Sequence, residues 1–462
     1  MSDRRFHAAG PPTNDSPHSR PVPLPGARRA VVLLLSMNLF NYLDRYILAA
    51  AVPAIRQAFF QSPDGLFASR GGGSVAVSFL RWFQHTFGFT PENALIGTLS
   101  TAFMVAYMIT APLCGRLAEH LSRWVVIGVA VMVWSLASGA SGLATTFGML
   151  VVTRCVVGIG EAAYGPIAPA VIADLYPVAM RGQVLAWFYL AIPVGSALGY
   201  VVGDQVARSP LGWRWAFYLV VVPGMGLGLW SFLMRDPTRG QADVTAATAP
   251  CRVTRREYLR LVRTPSYVLN TLGMAAMTFA LGGIAFWMPD YLQDYRGISG
   301  AATTTFGVIT VVSGLTATLL GGVAGDTLRA RCPGSYFLVS GVAILVGFPV
   351  FLLALYLPFP LAWVLIFLAC FCLFFNTGPT NTILANVTHP AIRPSAFALN
   401  IFVIHAFGDV ISPLIIGLLA DKYTMSVAFL WVGVMFLVAG VFWLVGTKYL
   451  ERDTAVVLAG LQ

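Results

Sequence analysis

The chain has 462 residues, 57% of them hydrophobic and only 10% charged, with a mean hydropathy of +0.75. That balance lies outside the soluble globular range and makes this a polytopic membrane protein. The formal net charge of +10 would suit a nucleic-acid partner, but the placement of the basic residues gives it another meaning.

Residues 1 to 27 are polar and proline-rich without an apolar core, so they predict no signal peptide and a disordered tail that runs to residue 29. Twelve mainly apolar runs follow, at 30 to 58, 93 to 115, 123 to 143, 147 to 173, 182 to 205, 213 to 234, 266 to 290, 301 to 326, 334 to 357, 361 to 387, 394 to 421 and 425 to 447. Each is long enough for a bilayer-spanning helix, which needs roughly 20 such residues. The fold class is therefore an all-α membrane protein of twelve transmembrane helices. An extracytoplasmic insertion at 60–92 carries Gly71-Gly-Gly73 and then Phe79, Leu80, Phe83 and Phe87 at helical spacing, which predicts a short interfacial helix acting as lid or anchor. The long connection 235–265 splits the spans into six-helix bundles at 30–234 and 266–447, with a tail at 448–462. Its stretch from Arg252 to Arg263, with Tyr258, Leu259, Leu261 and Val262 interspersed, is expected to rest on anionic membrane lipids.

Lys and Arg alternate from loop to loop, twenty on the side of the N-terminus against six on the other. The positive-inside rule then puts both termini in the cytoplasm and leaves no role for nucleic acid. Compact loops point to a bacterial inner membrane. The six cysteines lie in spans or predicted cytoplasmic loops, so a disulfide framework is not expected, and no metal or cofactor site is predicted.

Asp44 and Arg45 interrupt the first span. A lone charge at such depth costs at least about 2.5–3.5 kcal/mol, so the pair should face a protein interior or wet cavity. In the fourth span Glu161 reaches a similar depth, and Arg154 lies seven residues before it on the same helix face. Asp44 and Glu161 are candidate proton carriers, with Arg45 and Arg154 tuning them and attracting an anionic substrate. The competing reading is a fixed network that only orients helices. In the eleventh span His405 and Asp409 are four apart and form a candidate second polar patch, for substrate or protons. Asn376 and Asn381 with Thr377 and Thr380 in the tenth span, and Asn270 in the seventh, are candidate substrate-lining groups; interhelical hydrogen bonding is the alternative for each. Pro166, Pro169, Pro193, Pro379 and Pro413 each remove a backbone donor and predict bends, fixed or mobile.

A small motif recurs at the ends of the second helices of three-helix units: Gly115 with Glu119, Gly322 with Asp326 and Gly417 with Asp421, and more loosely Gly199 with Asp204. Asp174 and Arg181 after the fourth span repeat as Asn386 and Arg393 after the tenth. Duplicated three-helix units around a midplane site are a transporter design.

With these repeats the chain resembles the major facilitator superfamily. Gly115-Arg-Leu-Ala-Glu119-His120-Leu-Ser-Arg123-Trp124 matches its Gly-x-Leu-Ala-Asp-Arg-x-Ser/Gly-Arg-Lys signature, departing with Glu for Asp, His for Arg and Trp for Lys. The resemblance implies a 6+6 pseudo-symmetric bundle and a gating motif of Gly115, Glu119, Arg123, Arg181 and Asp326. Within the superfamily, four segments resemble Spinster-like transporters: Asn41-Tyr-Leu-Asp44-Arg45, Gly158-Ile-Gly-Glu161-Ala, Arg235-Asp-Pro-Thr-Arg-Gly240 and His405-Ala-Phe-Gly-Asp409-Val-Ile-Ser-Pro413. This implies a monomeric, proton-coupled secondary transporter of an amphiphile such as a lysophospholipid or sphingoid phosphate, working by alternating access. A small organic anion is the alternative substrate. A membrane enzyme or scaffold is the remote reading, disfavoured because no nucleophile and base converge and no phosphate-cradling loop is present.

Overall fold

The computed structural model describes residues 23–61, 82–238, 261–298, 301–388 and 392–459. The side chains of Glu119, Arg181 and Arg393 lie outside the described set, as do residues 239–260 of the linker. The described residues form twelve spans: α1 (Ala27–Arg56), α2 (Glu92–His120), α3 (Arg123–Gly142), α4 (Phe147–Glu161 and Tyr164–Leu175), α5 (Val178–Arg208), α6 (Trp213–Leu219 and Val221–Ser231), α7 (Pro265–Asp290), α8 (Ala302–Arg329), α9 (Ser335–Tyr356), α10 (Leu361–Phe374 and Thr377–Asn386), α11 (Arg393–Ile404 and Ser412–Lys422) and α12 (Met425–Gly446). Matching π-helical turns, Gln57–Gln61 and Tyr291–Tyr295, close α1 and α7, the first helix of each half.

Eleven of these spans are long and apolar enough to cross a membrane. The exception is α6, expected as one run and found in two short segments meeting at Val220. Proline explains this break and three more, because a proline cannot donate to the carbonyl four residues earlier. Pro223 frees Leu219, Pro166 frees Ala162, Pro379 frees Phe375 and Pro413 frees Asp409, and each helix parts at or beside that residue. Pro193, also expected to bend its helix, sits inside an uninterrupted α5. In α11 the break is a π-helical turn, His405–Asp409, in which Gly408 leaves helical geometry altogether (φ −107°, ψ −109°).

Without a hydrophobic force between helices in lipid, close packing relies on small residues. Gly195, Gly199 and Gly203 form a stripe on α5 against α1, where a Cβ at Gly199 would lie 2.6 Å from the Leu43 carbonyl oxygen. On α4, Gly158 packs on the Phe103 carbonyl of α2 so closely that any side chain would collide with it. These contacts fix α1, α2 and α4 around the residues flanking Asp44, Arg45 and Glu161. The chain end, expected as a tail, forms a further helix α13 (Leu450–Ala459), and its Asp453 accepts the Ser266 backbone N–H at the start of α7 at 2.9 Å.

The two halves lock together on the face opposite the termini. Arg56 of α1 donates to the fully buried Asp290 of α7 at 2.6 Å and to Glu92 at 3.1 Å, with Asp294 at 3.5 Å. Asp204 of α5 accepts from Gln293 and from Thr304 of α8, both at 3.3 Å. Asp421 of α11 takes the backbone N–H groups of Asn93 and Ala94 at 2.8 Å each, capping α2. Gly97 and Gly417 let α2 and α11 touch there: a Cβ at either would sit 2.5 Å from the carbonyl oxygen of Pro413 or Asn93. On the termini-bearing face the described motif residues Arg123 and Asp326 bond locally, with no partner in the opposite half among the described residues. Arg123 joins Asp236 (2.9 Å), Asp174 and the Pro237 carbonyl (2.5 Å), and Asp326 accepts from Tyr336 (2.7 Å).

Gly97→Val should therefore wedge this seal apart, since overpacking costs about 1–3 kcal/mol. Spin labels at Phe87 and Lys422 should report a longer mean separation than in the parent protein, and an unchanged distance distribution would contradict the packing described.

Candidate functional site

Just inside the seal lies a cavity of about 180 Å³ lined from both halves. The N-terminal half contributes Asp44, Arg45, Arg154 and Glu161, and the C-terminal half contributes His405 and Asp409. The sequence singled out these six as charged or titratable residues within apolar spans, and the fold brings all of them to one wall or the other of the same space.

The pairing crosses between helices. Arg45 Nε donates to Glu161 Oε2 at 2.6 Å, joining α1 to α4. Arg154 Nη1 faces Asp44 Oδ2 at 3.9 Å, an ion pair too long for a hydrogen bond. Asp44 is instead hydrogen-bonded by the Ser138 hydroxyl, and Arg154 donates to Ser141 Oγ at 2.6 Å. Both serines come from α3, which supplies the neutral partners for the looser pair.

Exposure separates the two arginines. The Arg154 side chain is 2% exposed and lies over the Phe217 ring, whereas Arg45 is 21% exposed to the cavity. Arg45 also lies 5.0 Å from the Tyr42 ring centroid, 4.9 Å from Phe103 and 5.3 Å from Tyr107. Cation–π attraction to these rings, worth about 0.5–2 kcal/mol, adds to the hold of the carboxylate on this guanidinium. Across the cavity His405 Nδ1 meets Asp409 Oδ1 at 2.9 Å, spanning the π-helical turn of α11.

Three atoms of this network, Asp44 Oδ2, Arg154 Nε and Glu161 Oε1, are buried without a hydrogen-bond partner among the described residues. An unsatisfied buried polar group costs about 1–3 kcal/mol, more when charged. Such groups mark places where water, a proton or a ligand completes the bonding.

The remaining expected site residues lie elsewhere. Asn270 is buried and donates to the Thr380 carbonyl at 3.0 Å, tying α7 to α10. Asn376 sits at the α10 break and bonds the Leu373 carbonyl at 2.6 Å. Asn381 is exposed and bonds Thr377 of its own helix at 2.8 Å. None of the three is among the residues lining the cavity. Of the gating motif, Arg123 is the hub described above, Asp326 is held by Tyr336, and among the described residues nothing beyond the local helix backbone lies within 4 Å of a Cβ placed on Gly115. The interfacial segment is described only from residue 82, where 82–87 are helical and Trp82 and Phe87 are exposed.

Tyr42, Ser138, Ser141, Tyr107 and Phe217 were not foreseen. Tyr42 had a usable signal, three residues before Arg45 on one helix. The serines of α3 had none, being small polar residues in an apolar run.

Comparison with known proteins agrees with this architecture. The description "Major Facilitator Superfamily" matches residues 34–408. Protein spinster homolog 3 of Danio rerio is 32% identical over 411 residues, spanning 85% of this chain and 76% of that protein. The Danio rerio protein named sphingosine-1-phosphate transporter SPNS2 is 31% identical over 413 residues, with 85% and 75% covered. Among solved structures, a bacterial homolog of the human lysosomal transporter Spinster, inward-facing and occupied, aligns with a TM-score of 0.74 at 17% identity, covering 93% of this chain and 98% of that one. The inward-open xylose transporter XylE from E. coli aligns at 0.66 and 18% identity, with 92% and 99% covered. The chain is a multi-pass integral membrane protein that belongs to the major facilitator superfamily and, within it, to the Spinster family.

Proposed function

We infer that this chain is a proton-coupled secondary transporter that works by alternating access and moves an amphiphile with an anionic or zwitterionic head, of the lysophospholipid or sphingoid-phosphate type. The observation that carries this reading is the Arg45–Glu161 pair: a partly exposed cation at a cavity shared by both halves, held by a fully buried carboxylate. The two alternatives for Arg45 compete. While Glu161 is ionised it occupies the guanidinium; once Glu161 is protonated, Arg45 is free to bind a phosphate or carboxylate of the substrate. Proton and substrate are thereby linked at one residue. Asp44 with Arg154 repeats the arrangement deeper in the wall, and His405 with Asp409 offers the C-terminal half's contact to the same ligand. The name of the sphingosine-1-phosphate transporter relative supports a lipid-phosphate class.

With the seal closed opposite the termini and the basic loops on the termini-bearing face, the termini are cytoplasmic and the cavity is poised toward the cytoplasm. We place the protein as a monomer in a bacterial inner membrane, without cofactor or catalytic step. The volume of about 180 Å³ favours a second reading, a small organic anion, because it holds a head group but leaves an acyl tail outside.

In proteoliposomes, Glu161→Gln should cut uptake driven by a pH gradient by about tenfold or more, a barrier change of about 1.4 kcal/mol, while substrate exchange persists. Gradient dependence equal to that of the parent protein would overturn the proton role. A second measurement addresses the substrate: lysophosphatidylcholine should displace a bound fluorescent lysolipid and citrate should not. Displacement by citrate alone would favour the small-anion reading.

A further inference from the structure

A second cavity touches the other side of the Arg45–Glu161 pair. Its volume is about 70 Å³, and it is lined by Asn41, Tyr42, Tyr107, Gly165 and Tyr189, together with the pair itself. Two features separate it from the central cavity. Its lining comes entirely from α1, α2, α4 and α5 of the N-terminal half, whereas the central cavity is shared between halves. Its size admits a few water molecules, each needing roughly 10–30 Å³, and no head group with a tail.

Its position gives it a direction. Asn38, also in its lining, precedes Arg45 by seven residues, which places it about 10 Å nearer the termini-bearing face. Gly165 and Tyr189 line the chamber and are themselves exposed, so it reaches the surface of the bundle. At its inner end is Glu161, 1% exposed, whose Oε1 has no hydrogen-bond partner among the described residues although Oε2 is held by Arg45.

We propose that this chamber is a water-filled proton route from the termini-bearing face to Glu161, separate from the path the substrate takes. The proposal rests on Glu161 being the proton carrier. A hydronium at the inner end gives its proton to Oε1, leaving a water molecule and a neutral carboxyl; Arg45 keeps its charge and loses its counter-ion. The groups facing Glu161 are Arg45, Asp44 and Tyr42 on α1, Tyr107 on α2, Arg154 and Tyr164 on α4, and His405 and Asp409 across the central cavity on α11. The hydroxyls and the Asn41 amide supply the polar lining that keeps water in place. Gly165 is the narrow point, because a Cβ there would collide with the Tyr107 hydroxyl.

The test needs no substrate. Infrared difference spectra after a jump from neutral to acidic pH should show a carboxyl C=O band that Glu161→Gln removes. Gly165→Val, which fills the chamber, and Asn41→Leu, which dries it, should each slow the rise of that band by about tenfold or more while leaving its final amplitude unchanged. If Gly165→Val fails to fold, Asn41→Leu decides. A band that rises at the parent rate in the folded variants overturns the route. Absence of any Glu161→Gln-sensitive band in the parent protein overturns the proton-carrier reading itself, a different result from a different sample.

Discussion

A guanidinium and a carboxylate enclosed in a membrane-spanning bundle must answer for each other, because desolvation makes either alone expensive. Arg45 and Glu161 do so at 2.6 Å across the α1–α4 contact. The surrounding structure depends on keeping that arrangement both tight and reversible. Gly158 holds α4 against α2 and the glycine stripe of α5 holds α1, which sets the distance. The rings of Tyr42, Phe103 and Tyr107 hold the arginine from the other sides.

The same pair stands between two spaces of different character. On one side is a cavity shared by both halves. On the other is a small polar chamber within the N-terminal half alone. A residue that borders both can take a proton from one and respond to a ligand in the other without the two sharing a path. The far-face seal, built from Arg56 with Asp290, Asp204 with Gln293 and Thr304, and Asp421 on the α2 terminus, holds the two halves together opposite the termini.

Much of this could be read in the amino-acid order. Charges in apolar runs stand out energetically, so Asp44, Arg45, Arg154, Glu161, His405 and Asp409 were recognisable, and the Gly–acid repeats pointed to a duplicated bundle. The crossed pairing was not legible, since which arginine meets which carboxylate depends on how α1, α3 and α4 pack. Nor was the division of labour among the repeats. Asp204 and Asp421 bridge the halves while Asp326 stays within its own, because the closed face is a property of the conformation. The break in α6 did have a sequence signal in Pro223, and the packing of α5 had one in glycines spaced by four. For the asparagines the residue order left two readings open, and their bonds follow a physical rule: a polar residue in a span must bond something, and Asn270 and Asn376 bond main-chain carbonyls at and beside the α10 break.

The central claim is that the Glu161 carboxylate and the substrate compete for Arg45, so that a proton on Glu161 promotes substrate binding. Calorimetric affinity for a lysophospholipid, measured across a pH series in detergent, tests it most directly. The account predicts binding that tightens as pH falls in the parent protein and, in Glu161→Gln, binding that is tight and nearly independent of pH. Affinity with the same pH dependence in both proteins would contradict it.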